Sequence, residues 1–79
     1  MFMRCVITSP TETKTYEELR SVVLPTVRGM EQIMRGHAEY ITRIKSGDVR
    51  IEFQAGSVES ILVENALCWV AADEVWVIL

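Results

Sequence analysis

The segment Asp48-Val49-Arg50-Ile51-Glu52-Phe53 alternates without a break, with Val49, Ile51 and Phe53 on one side and Asp48, Arg50 and Glu52 on the other. A period of two is the side-chain repeat of an extended chain, so this stretch reads as a strand with one buried face. Ser46-Gly47-Asp48 predicts a turn before it and Gln54-Ala55-Gly56-Ser57 a turn after it. Val58 to Val63 then reads as the returning strand of a hairpin. The inward set predicted from such patterns is Leu24, Val49, Ile51, Phe53, Val75 and Val77.

The remaining segments are short and are divided by Pro10, Pro25, Gly29, Gly36, Gly47 and Gly56, a spacing typical of compact all-β domains. Arg4-Cys5-Val6-Ile7-Thr8 predicts a first strand, ended by Ser9-Pro10. Leu67-Cys68-Trp69-Val70 and Val75-Trp76-Val77-Ile78-Leu79 are apolar on both faces and predict two late strands joined through Ala71-Ala72-Asp73-Glu74. The middle conflicts with this pattern. Met30, Ile33, Met34, His37, Ala38, Ile41 and Ile44 fall at helical spacing, as do Tyr16, Leu19, Val22 and Val23 before them. Gly36 inside the pattern and the β-branched run ending at Pro25 argue against helix. The 79 residues make one domain, residues 1–79, and an apolar content of 49% is enough for one core and too high for disorder.

Several classes of function are excluded or left without residues to serve them. A formal charge of −3 does not suit a nucleic-acid binder. No apolar run approaches the length needed to span a bilayer, and Met1-Phe2-Met3 is broken by Arg4. Cys5 and Cys68 are expected as two buried free thiols, the alternative being one disulfide between the first strand and a late one. His37 has no second histidine, serine or cysteine at a useful spacing, so no nucleophile and base can be paired. The glutamates are scattered and no Gly-rich phosphate loop occurs. No catalytic, cofactor or metal residues are assigned. Trp69 and Trp76 are expected in the core because their neighbours are apolar, with interface anchoring the alternative.

Four stretches, in order, resemble the amino-terminal domain of the ε subunit of F-type ATP synthases. Val22-Val23-Leu24-Pro25 is similar to the strand before its exposed loop, and Gly36-His37-Ala38 to its Gly-His-Ala turn. Ile44-Lys45-Ser46-Gly47-Asp48-Val49-Arg50-Ile51 resembles its Lys-Pro-Gly hairpin. Ala66-Leu67-Cys68-Trp69-Val70 with Val75-Trp76-Val77-Ile78-Leu79 resembles its ending. Arg35 stands where the family commonly has proline, and Glu64-Asn65 replaces its usual small residues.

The resemblance implies an all-β fold, a flattened β-sandwich or barrel of two antiparallel sheets. It implies a non-catalytic rotor subunit that couples the membrane c-ring to the γ subunit, peripheral to the cytoplasmic face of a bacterial inner membrane. The family's carboxy-terminal helical hairpin has no counterpart in these residues, and with it the inhibitory segment and any ATP site are expected to be missing. Within the loop Thr26 to Gln32, the residues Arg28, Gly29, Met30, Glu31 and Gln32 are the expected c-ring contact. Gly36, His37, Ala38 and Gly47 are expected as structural turns. The competing reading is a small cytosolic α+β enzyme or ligand-binding domain with a helical middle.

Overall fold

The computed structural model describes residues 2–79 and contains six strands: β1 (Met3–Thr8), β2 (Thr13–Thr26), β3 (Gly29–Met34), β4 (Tyr40–Phe53), β5 (Val58–Ala71) and β6 (Glu74–Ile78). Among these residues there is no helix. The helical spacing of the middle is therefore a coincidence of period. Of that apparent stripe, Ile33 and Ile44 are buried, whereas Met30, Met34 and Ile41 are exposed. Pairing decides the outcome: β3 is bonded to β2 from Thr26↔Gly29 to Ser21↔Met34, and this tertiary pairing overrides the local helical spacing.

The strands form one continuous ladder in the order β1-β6-β5-β4-β2-β3, and β1 also pairs with β2. The first five therefore close into a ring, with β3 added outside it. Val22 pairs with both Ile33 and Ile51, and Leu19 with both Met3 and Phe53, so β1 and β3 share one edge of β2 and β4 occupies the other. An odd-membered ring cannot alternate direction all the way round. The mismatch falls at β1 and β6, which run parallel from Arg4↔Glu74 to Thr8↔Ile78. The expected all-β barrel is present as a single closed ladder, and the expectation of antiparallel pairing throughout is corrected at one joint, which is parallel.

Three strands are 14 residues long. Straight strands of that length would measure about 46 Å at ~3.3 Å per residue, yet the longest dimension of the chain is 29 Å. They must bend, and the burial pattern shows where. β4 buries Thr42 and Ile44, then switches parity to Val49 and Ile51. β5 buries Val63, then switches to Ala66, Cys68 and Val70 across Asn65, whose φ is +52°. The two strands turn together, because their register is unbroken from Tyr40↔Val70 to Glu52↔Val58. β2 makes the same switch at an irregularity between Leu19 and Ser21. A strand that changes its buried face at a bend lines two sides of one core.

Gly47 sits at the β4 bend. It lies inside the strand, which corrects its assignment to a turn; the hairpin turn predicted at Ser46-Gly47-Asp48 does not exist, and β5 runs on past Val63 to Ala71. What requires glycine is a close approach. A Cβ at position 47 would stand 2.8 Å from Cβ and Cγ of Pro25. The core that results contains Leu24, Val49, Ile51, Val75 and Val77, all fully buried, while Phe53 is half-buried and packs against its edge, beside Tyr16.

Gly47→Ala is expected to cost about 1–3 kcal/mol, the usual range for overpacking. Ile51→Ala should cost about 2–5 kcal/mol, and Phe53→Ala less than Ile51→Ala because part of the ring is already wet. Urea titration measures all three.

Candidate partner-binding surface

The segment expected to be a seven-residue loop is a two-residue turn. β2 ends at Thr26 and β3 begins at Gly29, leaving Val27 and Arg28 as the tip. Thr26 holds it: its hydroxyl donates to the Gly29 carbonyl at 2.8 Å and accepts from the Arg28 N–H at 3.1 Å. Arg28 is exposed there beside Val27, which is 62% exposed. Met30, Glu31 and Gln32 belong to β3 and alternate. Met30 (67% exposed) and Gln32 lie on the outer side. Glu31 turns the other way and accepts a hydrogen bond from the Tyr40 hydroxyl, so it is not a free side chain of the tip. Burial, then this carboxylate, push the Tyr40 hydroxyl well above the usual phenol range.

The β3–β4 connection lies beside the β5–β6 turn. The Gly36 N–H donates to the Asp73 carboxylate at 2.8 Å, and the His37 N–H to the Met34 carbonyl at 3.1 Å. Gly36 has a φ of +79°. His37 and Ala38 follow as exposed residues; the His37 ring lies 5.1 Å from that of Tyr40, and Nδ1 is 2.7 Å from the Ala38 carbonyl.

The largest departure from the sequence reading concerns the tryptophans. Core placement is corrected: Trp69 is 42% exposed and Trp76 is half-buried, both on the outer side of the barrel. The inner side of the same strands is filled by Ala66, Cys68, Val70, Val75 and Val77. Cross-strand register aligns Ile41, Trp69, Trp76 and Val6 in one row across β4, β5, β6 and β1. Leu67 and Ile78 form part of the next row. Each indole N–H is held by a carboxylate, Trp69 by Glu39 at 3.0 Å and Trp76 by Glu74 at 3.1 Å. The Trp76 bond holds the Glu74 carboxyl below its usual range against the opposing effect of burial, and the Arg4 guanidinium adds to the lowering. The signal was in the sequence: small residues at 66 and 68 alternate with large ones at 67 and 69, and small residues suit the inside of a small barrel.

Cys5 and Cys68 are free and buried, as expected, with no disulfide between them. Burial pushes the Cys5 thiol up to about 12, with a contribution from Cys68, and the Cys68 thiol up to about 11.

Residues 2–79 match the family described as the ATP synthase, Delta/Epsilon chain, β-sandwich domain. The chain belongs to this family. It is 35% identical over 57 residues to the ATP synthase epsilon chain of Chlorobium limicola, covering 72% of this chain and 65% of that one. It is 38% identical over 61 residues to the ATP synthase epsilon chain of Polynucleobacter necessarius, covering 77% of this chain and 44% of that one. This family member thus spans roughly half to two thirds of these relatives' length. The fold is similar to chains in two solved assemblies. One, with a TM-score of 0.88 at 15% identity, belongs to the Euglena gracilis mitochondrial ATP synthase and covers 98% of this chain and 49% of that one. The other, with a TM-score of 0.77 at 16% identity, belongs to the central stalk and c-ring of the Tetrahymena thermophila enzyme and covers 100% of this chain and 65% of that one.

The thiols give the domain an alkaline limit. Both are held neutral in the folded chain, so their contribution is complete below the ordinary thiol value of 9.0 and is lost as pH rises through about 11 and 12. The urea midpoint should fall across that window, and fall less in Cys5→Ala. A thiol-specific reagent at pH 8 should label neither cysteine until the chain is unfolded.

Proposed function

We propose that this domain is the β-sandwich portion of a non-catalytic rotor subunit, linking the γ subunit to the c-ring of an ATP synthase and passing rotation between them. The observation that carries the reading is the closed ring. Five strands with no free ends, cross-linked through β1 and β6, make a body that resists deformation, and torque needs such a body. Family membership and the epsilon-chain relatives supply the setting. The long strands, each lining two sides of the core, would give the two layers of the family's sandwich.

The Val27-Arg28 turn with Met30 is the proposed c-ring contact. One guanidinium and two exposed apolar side chains suit the polar loops of a membrane ring, and Gly29 and Gln32 complete the strip. Glu31 supports this site through Tyr40 rather than touching the ring itself. Gly36, His37 and Ala38 shape the β3–β4 connection and take no part in chemistry. The subunit would sit at the membrane surface through its partners, on the cytoplasmic face in a bacterium, with no cofactor of its own.

Arg28→Ala combined with Met30→Ala should leave folding within about 0.5 kcal/mol of the parent. In membranes rebuilt with the altered subunit, ATP-driven proton pumping should weaken while ATP hydrolysis continues. Unchanged pumping with the subunit fully assembled would place the c-ring contact elsewhere.

A further inference from the structure

The ring joins its five strands edge to edge, but β3 stands outside it and is paired on one side only. No strand among the described residues meets its other side. An open edge presents unpaired N–H and C=O groups and recruits another strand unless something blunts it. The usual guards are missing here. Gly29 to Met34 contains no lysine and no proline, and its register with β2 is unbroken by any bulge. Its one charged side chain, Glu31, is turned away to the Tyr40 hydroxyl. The first half of β4 also lacks a partner strand on one side, but there the β2–β3 hairpin itself closes in, with the Val27 N–H donating to the Arg43 carbonyl at 2.9 Å.

The outer side of β3 reads the same in both directions: Met30, Gln32, Met34. Both methionines are exposed. A second β3 laid antiparallel along the open edge, with the two-fold axis at Gln32, sets each Met30 opposite the other copy's Met34. Each Gln32 then stands opposite its counterpart, with about 5 Å between Cβ atoms. The Gln32 amide nitrogen donates to the Ser21 hydroxyl at 3.4 Å, which leaves its second N–H and its carbonyl oxygen for the other copy's amide. In this register Glu31 faces Ile33, Arg28 faces Gly36 and Arg35 faces Gly29, so no like charges meet. Moving the axis to Glu31 would set two carboxylates against each other.

We infer that the open edge of β3 pairs antiparallel with β3 of a second copy of this chain, about a two-fold axis at Gln32. Backbone bonds along the edge supply the attraction, and the Met30–Met34 and Gln32–Gln32 pairs fix the register. A strand this short buries less than the ~1,200 Å² at the low end of stable interfaces, so the dimer is reversible and depends on concentration. The covered strip includes Met30 and Gln32, which the rotor reading gives to the c-ring, so self-pairing and ring contact exclude each other. The pairing itself is a property of the chain alone and does not rest on that reading.

Sedimentation equilibrium of the whole chain, from micromolar to millimolar concentration, tests the inference. The parent should pass from monomer to dimer and form nothing larger, because a two-fold contact closes on itself. Gln32→Lys, which sets two ammonium groups face to face on the axis, should weaken association at least fivefold, with folding checked by circular dichroism. Gln32→Cys should give a disulfide-linked dimer on mild oxidation. Leu62→Cys, exposed on the ring away from β3, should not, and the parent should not because Cys5 and Cys68 are buried. A parent that stays monomeric throughout, a folded Gln32→Lys variant that associates as the parent does, or equal cross-linking at positions 32 and 62 would overturn the inference.

Discussion

The parallel ladder between β1 and β6 joins the two ends of the chain to each other. Five register pairs, Arg4↔Glu74 through Thr8↔Ile78, close the ring, and two backbone bonds extend it: Arg4 N–H to the Asp73 carbonyl at 3.1 Å and Leu79 N–H to the Thr8 carbonyl at 2.8 Å. Without this joint β1 and β6 would each present an open edge, and an open edge recruits other strands. With it, the burial of Cys5, Cys68, Val75 and Val77 follows, because these residues line the wall that the joint completes. The parallel direction is forced by the odd number of strands, so it is a consequence of closure and not an independent feature.

Closure sets the other features of the fold. A ring small enough for 79 residues cannot hold 14-residue strands straight, so β2, β4 and β5 bend and change their buried face. The bends need particular residues: Gly47 where Pro25 comes close, and Asn65 at a positive φ that asparagine tolerates. The narrow interior admits small and branched side chains, and this turns the two tryptophans outward. The aromatic face is thus a product of the same constraint that builds the core. Two exposed surfaces result: the turn leading into the added strand β3, and a broad apolar face on the ring itself.

The strand from Val49 to Phe53 was legible in the sequence because one side of it is wet and the other dry. β1 and β6 were legible as short apolar runs. The middle was not. Exposed Met30, Met34 and Ile41 mimic a helical stripe together with buried Ile33 and Ile44, and only cross-strand pairing separates them. The bends were missed for a related reason. A change of parity looks like the end of one strand and the start of another, which is why Gly47 suggested a turn. Trp69 and Trp76 were expected inside because runs apolar on both faces look like buried strands; an exposed apolar outer face leaves the same pattern. The Gly36-His37-Ala38 stretch and the order of the four family segments pointed to the family, while the shortness of the β2–β3 turn and the engagement of Glu31 by Tyr40 depend on contacts that no local pattern encodes.

Native-state hydrogen exchange on the isolated domain bears most directly on closure. If the β1–β6 joint holds the whole body together, the amides of Val6, Thr8, Val75 and Val77, which face across it, should exchange only through global unfolding, with the same opening free energy as the slowest amides of β4. If those four exchange through a local opening well below the global value, the ring is not mechanically closed and the rigid-body basis of the rotor reading is wrong.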